Sequence, residues 1–292
     1  GRVEIGRVAK ECGAFGLSTG NLFEALELRR HGIKLPILLY ASTLPCHAEV
    51  IVENRIIPTI TDLEMARAFD RCAPEGYGVF VKVDCGLERV GIYAEEALPF
   101  IREVMKLPRV KVEGIYTFIL GDDEYQQWQF PRFTTLLGKL EQAGVYIPTK
   151  LLATSGNLKY AEVHFNAVNP GRAVYGMYAV PGLDLRPAVR GIKARIVQIK
   201  ECNLREQFAD KVEFDLSQTK RIGILPTGWM DGLSRGYSNG GPVLVRGKRT
   251  FVAGNVHHVC SRVDLTNIPE ARVGDEVVLF GRQGNEVITA EE

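Results

Sequence analysis

Residues 15–41, FGLSTGNLFEALELRRHGIKLPILLYA, change their hydrophobic pattern twice. The first five and the last six residues are short apolar or β-branched segments that predict strands. Between them, residues 21–31 place apolar side chains three and four positions apart, as an amphipathic helix does, and Gly32 ends that helix. A strand, a helix and a second strand in succession form the repeating unit of a parallel sheet.

The same alternation continues along the next part of the chain. Five more strand-like segments follow, each separated by a span long enough for a helix: IIPTI (56–60), GVFVKVD (78–84), VEGIYTF (112–118), KLLATS (150–155) and AVNPGRAVYG (167–176). Thr61 and Glu64 have the spacing of a capping box at the start of one of these helices. Seven strands alternating with helices predict a parallel sheet with helical crossovers.

The beginning of the chain has no matching strand. Residues 2–12, RVEIGRVAKEC, show a helix-like pattern without an initiator Met or a preceding strand. A leading helix and seven strands fit an α/β fold of the TIM-type (β/α)8 class whose first strand is absent from this chain. We therefore expect the native protein to extend further at this end.

The pattern changes after about Leu185. The later segments alternate or run apolar between Gly-rich turns, without a convincing amphipathic helix: residues 192–201, 220–228, 241–259 and 275–289. Pro187 indicates a linker. The predicted domains are therefore a barrel over residues 1–185 and an all-β C-terminal domain over residues 186–292.

Composition excludes several classes of protein. Thirty-six basic and 35 acidic side chains leave a formal charge of +1, which favours neither nucleic acid nor an anionic membrane as a partner. No apolar run approaches the ~20 residues that span a bilayer, and no signal peptide opens the chain. The six cysteines lack the spacing of a disulfide framework or a metal site. We predict a cytoplasmic location and no metal.

Residues suited to ligand binding follow the predicted barrel strands. In such barrels the site lies at the carboxyl ends of the strands, where Asp84 to Arg89, Ser155 to Asn157 and Asn169 to Arg172 are found. Peptide N–H groups near Gly171 and the Ser155 hydroxyl have the chemistry to hold a phosphate. Pro-Gly and Ser-Gly pairs also form ordinary turns, so the residues alone leave both readings open.

Four longer motifs together resemble the alanine racemase family, which consists of fold-type III pyridoxal-phosphate enzymes. They are VKVDCGLERVGI (81–92), NPGRAVYGMY (169–178), GILPTGWMDGLSRGYSNGGPVLVRGKRTFVAGNV (223–256) and VDLTNIPEARVGDEVVLFG (263–281). The resemblance covers nearly the whole chain in order. It implies a barrel that carries pyridoxal 5'-phosphate, a β domain, and a homodimer in which each β domain completes the partner's active site.

The resemblance also implies roles for particular residues. Ser155 and the peptide groups of Gly171 and Arg172 match the positions that hold the cofactor phosphate in this family. Arg89 matches an arginine that helps to bind the substrate carboxylate. Lys82 matches a barrel lysine that is often carbamylated and that orients this arginine.

The chain departs from the family at several catalytic positions. The lysine that captures the cofactor aldehyde belongs to the family's first strand, and a further phosphate-binding tyrosine belongs to its tail, so both lie outside this chain. The motif GYADG is GWMDG here, so Trp229 stands in place of the second base, and an indole N–H cannot accept a proton. Asn169 replaces the arginine that faces the pyridine nitrogen, and Phe118 replaces a supporting histidine.

His258 is the candidate substitute base. It stands with Val259 where the family has Met-Asp, and an imidazole with an ordinary pKa near ~6.5 is able to take a proton from Cα at neutral pH. The alternative is an ordinary hydrogen-bonded histidine. His257, adjacent on a predicted strand, is expected to face the other way. Trp128 is interpreted as a helix-packing residue.

The predicted function is that of a pyridoxal-phosphate-dependent amino-acid racemase, which interconverts L- and D-amino acids by abstracting the Cα proton. The replacements at residues 118, 169 and 229 leave two alternatives open. One is a different reaction on the same scaffold, such as decarboxylation, elimination or retro-aldol cleavage. The other is a non-catalytic homologue that binds only the cofactor or a partner chain.

Overall fold

The computed structural model describes residues 1–40, 43–120, 123–153, 164–176, 182–202, 213–215, 217–289 and 292, apart from the side chains of residues 123, 125 and 126. The chain divides into two compact units, Gly1–Arg186 and Pro187–Glu292. Each unit is described by itself.

The first unit contains a sheet of parallel strands. Its strands are β1 (Leu17–Thr19), β2 (Ile37–Leu39), β3 (Ile57–Ile60), β4 (Tyr77–Asp84), β5 (Ile92–Tyr93), β6 (Val110–Phe118), β7 (Thr149–Ala153) and β8 (Ala167–Asn169). They pair in the order β1-β2-β3-β4-β6-β7-β8, and the short β5 pairs beside the end of β4. All seven predicted strands are present, and the predicted fold class, a nearly closed parallel barrel followed by a β unit, is confirmed.

Helices connect most of these strands. They are α1 (Arg2–Glu11), α2 (Leu22–Arg30), α3 (Ala48–Glu53), α4 (Leu63–Cys72), α5 (Ala97–Val104) and α6 (Asp123–Gln142). The predicted capping box at Thr61 is wrong by one residue, since the Asp62 carboxylate accepts the Met65 N–H at 2.7 Å. A carboxylate also suits the positive end of the helix dipole. Among the helices of the described residues, none combines the length and hydropathy needed to cross a bilayer.

Apolar side chains fill the barrel and the space under the helices. A large cluster includes Ile60, Phe69, Val81, Ile101 and Ile115, all fully buried. A smaller cluster joins side chains of four strands: Leu38, Phe80, Tyr116 and Leu151.

A hydrogen-bonded tyrosine lies within that smaller cluster. The Tyr116 hydroxyl donates to the Tyr40 carbonyl at 2.8 Å and lies 2.8 Å from the Thr59 hydroxyl. Because Tyr116 has one hydrogen to give, Thr59 donates to it. Burial raises the pKa of Tyr116, so the phenol stays neutral inside the barrel.

The second unit is built from antiparallel strands: β9 (Ile192–Arg195), β10 (Gln198–Glu201), β11 (Arg221–Leu225), β12 (Pro242–Val245), β13 (Lys248–Phe251), β14 (Ser261–Asp264), β15 (Glu276–Gln283) and β16 (Glu286–Ile288). Its core includes Leu225, Val243, Val263 and Val277. The described part of this unit contains no α-helix. One expectation is wrong, because His257 and His258 lie in the connection between β13 and β14 and not on a strand.

Candidate functional site

The carboxyl end of β4 opens into a tightly held loop, residues 85–91, which we call the Arg89 loop. Asp84 is buried, and its Oδ1 accepts the N–H groups of Gly86 and Leu87 at 2.8 Å each, while Oδ2 accepts the Arg89 N–H at 2.7 Å. Burial acts to raise the pKa of Asp84, but these backbone donors outweigh it and lower the pKa. One ionised carboxylate therefore organises the loop.

Two cationic side chains accompany this loop. The exposed Arg89 guanidinium lies 5.4 Å from the ring centroid of Phe118, at the end of β6. Lys82 is partly buried, and its Nζ lies 5.9 Å from the Tyr116 ring centroid. Burial and then the charge of Arg89 lower the pKa of Lys82, against the effect of Asp84. Neither cation forms a salt bridge with a residue that the structure describes.

Cys85, the first residue of the loop, is a packing residue. It is 1% exposed, and burial raises the pKa of its thiol to about 11. A neutral buried thiol is a poor nucleophile. The chemistry available at this end of β4 is therefore that of the two cations.

A second loop follows β8. The Asn169 side chain donates from Nδ2 to the Ser18 hydroxyl at 2.8 Å, and its Oδ1 accepts the Gly171 N–H at 3.1 Å. Gly171 has φ of 53°, a left-handed conformation that favours glycine, and it begins a short 3-10 helix. The adjacent Arg172 is exposed and forms no ion pair within the described part of the chain.

This loop brings together three of the predicted cofactor-binding residues, namely Asn169, Gly171 and Arg172. Its peptide groups and free guanidinium suit an anion. The fourth, Ser155, lies outside the described residues.

The second unit brings together the two predicted catalytic residues. The rings of Trp229 and His258 are 4.5 Å apart at an angle of 58°. The backbone N–H groups of Trp229 and Met230 donate to the carbonyls of His257 and His258, each at 3.0 Å. A Cβ on Gly228 would stand 2.3 Å from the His257 carbonyl oxygen, so glycine permits the approach of these segments.

The structure also shows a cluster that the sequence did not indicate. Nε2 of His257 lies 2.9 Å from the Glu213 carboxylate, and Arg262 donates to the same carboxylate. The Arg262 guanidinium also lies 5.3 Å from the Phe214 ring. No local signal identifies Glu213, because its partners are distant in sequence. His257 thus contacts the ion pair of Glu213 and Arg262, whereas His258 faces Trp229.

A metal-binding cluster of His, Cys, Asp or Glu was not found among the residues that the structure describes. What the described side chains offer is an ordered set of cations and backbone donors at the carboxyl ends of β4 and β8. The first unit is a parallel barrel with cations and backbone donors at the carboxyl ends of its strands, and an antiparallel β unit follows it in the chain. These features define a class of barrel protein that binds its ligands at the strand ends.

Comparison with known proteins names the family. Residues 1–179 match the family model of the alanine racemase N-terminal domain, and residues 189–292 match that of the alanine racemase C-terminal domain. The chain belongs to the alanine racemase family. The resemblance seen in its motifs is confirmed.

Individual relatives agree. The chain is 36% identical to the alanine racemase of Desulforamulus reducens, over 96% of this chain and 80% of the relative. It is 33% identical to that of Methanococcus maripaludis, over 100% of this chain and 82% of the relative. The structure of the Clostridium difficile 630 alanine racemase in complex with cycloserine has a TM-score of 0.82 at 30% identity, over 100% of this chain and 78% of that one. The Bacillus anthracis enzyme with bound L-Ala-P has a TM-score of 0.84 at 28% identity, over 99% and 78% of the two chains.

Proposed function

We propose that the protein is a pyridoxal-phosphate-dependent amino-acid racemase that moves a proton at the substrate Cα. The observation that carries the proposal is the Arg89 loop. A buried carboxylate holds its backbone, and the Arg89 guanidinium has no carboxylate partner among the described residues. In a chain of the alanine racemase family, this free cation suits the carboxylate of an amino acid.

The loop after β8 fits the phosphate of the cofactor. Gly171 has the left-handed backbone of an anion-binding turn, and the Arg172 guanidinium is exposed. We assign the phosphate to the peptide groups of these two residues and to the Ser155 hydroxyl. Since Oδ1 of Asn169 accepts the Gly171 N–H at 3.1 Å, a phosphate has to share or replace that acceptor.

Pyridoxal phosphate, when bound, supplies an aldehyde for the substrate amine and a ring that stabilises negative charge at Cα. Arg89 binds the substrate carboxylate and so orients the Cα–H bond. The lowered pKa of Lys82 increases its neutral amine fraction, the form that reacts with carbon dioxide. This supports the carbamylation that the family resemblance implies, and a carbamate there would be an anionic partner for Arg89.

Asn169 stands where the family resemblance places the arginine that faces the pyridine nitrogen. Its Oδ1 accepts the Gly171 N–H and one Nδ2 hydrogen is donated to Ser18, which leaves a second lone pair on Oδ1 and a second hydrogen on Nδ2. If that hydrogen were donated to the pyridine nitrogen, the nitrogen would stay unprotonated. The ring would then withdraw less charge from Cα, which would favour racemisation over decarboxylation, elimination and retro-aldol cleavage.

We assign the second base to His258. An indole N–H has no lone pair to accept a proton, whereas the imidazole 4.5 Å from the Trp229 ring does. Trp229 then orients the imidazole by ring contact. We also propose a homodimer with shared active sites, on the family resemblance, and a cytoplasmic location, which six free cysteines support.

The test is a proton-exchange experiment. Full-length protein with pyridoxal phosphate is incubated with L-alanine in D₂O, and the optical rotation and the deuterium at Cα are followed. A racemase loses optical rotation as deuterium enters Cα. Products of different mass would establish one of the alternative reactions, and cofactor binding without exchange would establish the non-catalytic homologue.

A further inference from the structure

Trp128 of α6 lies directly on the backbone of the Arg89 loop. Gly86 has φ of 116°, and a Cβ added to it would stand 2.2 Å from Cη2 and 2.3 Å from Cζ3 of Trp128. No side chain fits between this ring and the loop. The indole nevertheless is 48% exposed, so it does not belong to the core of the helix layer.

Arg132 holds the indole in place. It lies one helical turn after Trp128, on the same face of α6, with its guanidinium carbon 4.9 Å from the ring centroid. Nη2 of Arg132 also donates to the Glu95 carboxylate at 2.7 Å. Glu95 follows β5, just beyond the Arg89 loop, so this face of α6 contacts the loop at Gly86 and the chain just after it.

The loop is held from its other side by β4. Asp84 accepts three of its backbone N–H groups. Gly91 closes the loop, since a Cβ there would stand 2.7 Å from the Asp84 nitrogen. The Asp84 carboxylate therefore holds the loop at Gly86, Leu87 and Arg89, and the indole contacts it at Gly86.

Helix α6 is also hydrogen-bonded to the segment that follows β6. Gln129, next to Trp128, is fully buried, and its Oε1 accepts the Leu120 N–H at 3.1 Å. Leu120 is two residues beyond Phe118, whose ring lies 5.4 Å from the Arg89 guanidinium. Trp128 thus contacts the loop backbone at Gly86, while its neighbour Gln129 binds the segment that follows Phe118.

We propose that Trp128, supported by Arg132, is a positioning residue that keeps the Arg89 loop in its carboxylate-binding conformation. The proposal rests on the function proposed for Arg89. Trp128 acts through the loop and not on the reacting atoms, so its removal affects substrate binding more than turnover. If the freed loop spends about a tenth of its time in the competent conformation, KM rises about tenfold.

Kinetics of the holoenzyme test the proposal. We expect Trp128→Ala to raise the KM for alanine about tenfold with kcat changed less than about threefold, and Arg132→Ala to have a smaller effect in the same direction. Trp128→Phe, which keeps an aromatic ring, should restore most of the affinity. Glu141→Ala, at an exposed position on the same helix, is the control. An unchanged KM in Trp128→Ala, or a loss confined to kcat, would overturn the proposal.

Hydrogen exchange provides a test that needs no turnover. The peptide covering residues 85–91 should exchange faster in Trp128→Ala and in Arg132→Ala than in the unchanged protein or Glu141→Ala. Unchanged exchange in both variants overturns the positioning role. If Trp128→Ala folds poorly, Arg132→Ala carries the test, and unchanged exchange in that variant overturns the positioning role. Faster exchange with an unchanged KM also overturns the proposal. That result would show that the loop conformation does not control substrate binding, so the carboxylate-binding role given to Arg89 would be wrong.

Discussion

Asn169 and Ser18 join the two ends of the barrel sheet. Nδ2 of Asn169, at the end of β8, donates to the hydroxyl of Ser18 in β1 at 2.8 Å. The same amide accepts the N–H of Gly171, which opens the proposed phosphate turn. One side chain therefore couples closure of the barrel to the shape of the anion-binding loop.

Replacing Asn169 should separate these two roles. We expect Asn169→Ala to lower the free energy of unfolding by about 1–2 kcal/mol, because two hydrogen bonds are lost, and Ser18→Ala by about half as much. Asn169→Asp keeps the acceptor for Gly171 but places a negative charge beside the phosphate. Its affinity for pyridoxal phosphate should fall well below that of Ser18→Ala, as measured by absorbance titration. Equal affinities would contradict the phosphate assignment.

Removing the guanidinium of Arg89 should affect the substrate and not the cofactor. We expect Arg89→Ala to raise the KM for alanine on the order of a hundredfold, since a charge-assisted contact with the carboxylate is lost. Arg89→Lys should recover part of the loss because it keeps the charge. Cofactor absorbance should stay normal in both variants. Unchanged kinetics in Arg89→Ala would refute the carboxylate role.

Asp84 should make the stability of the Arg89 loop depend on pH. Because its folded pKa is below the ordinary value of 3.8, the carboxylate stabilises the folded state fully above that value, and the contribution is lost as pH falls through the lowered folded pKa. Asp84→Asn should cost about 2 kcal/mol at neutral pH, since the amide nitrogen faces an N–H donor.

Urea denaturation at pH 7 and at pH 3 measures this effect. The difference in the free energy of unfolding between the unchanged protein and Asp84→Asn should narrow at pH 3, which lies below the ordinary value of 3.8, because protonation of the unfolded carboxylate then favours the unfolded state. Glu141→Gln, at an exposed carboxylate with no role in the loop, should show no comparable change. A constant difference across the two pH values would argue against the charged form of Asp84 as the organising group.

A tyrosine at residue 229 should be able to act as the second base in place of His258. We expect His258→Ala to abolish deuterium exchange at Cα, because Trp229 cannot replace the imidazole. Trp229→Tyr should raise alanine racemisation at least about tenfold, since a positioned general base contributes factors of this size or more. The double variant should then remain active. His257→Ala, which removes a histidine of the Glu213 cluster, is the control.

Two results would contradict the assignment of His258 as the second base or of that base as the limiting feature. Full exchange in His258→Ala would exclude the imidazole as the base. No gain in racemisation in Trp229→Tyr would instead point to Asn169 and Phe118, which are also predicted to replace residues of the family's site, as the limiting features.

Much of the fold was predictable because it rests on local periodicity. Apolar residues at residues 21–31 recur with the helical period, and Gly32 ends the helix, as the structure shows. Boundaries were less accurate. Asp62 and not Thr61 caps α4, and the segment predicted as the last strand becomes a 3-10 helix after Asn169. In both places a backbone N–H binds a side chain two or three residues earlier, and the hydrophobic pattern does not show which side chain takes that role.

The amino-acid sequence on its own determined the barrel, the β unit and the family. Only the tertiary structure decided that Asn169 pairs with Ser18, that Trp128 covers Gly86, and that His257 turns to Glu213 while His258 meets Trp229. The physical reason is the distance along the chain over which each interaction acts. Burial and backbone preference act on neighbouring residues and leave a periodic trace, whereas contacts between distant segments depend on how the completed elements pack.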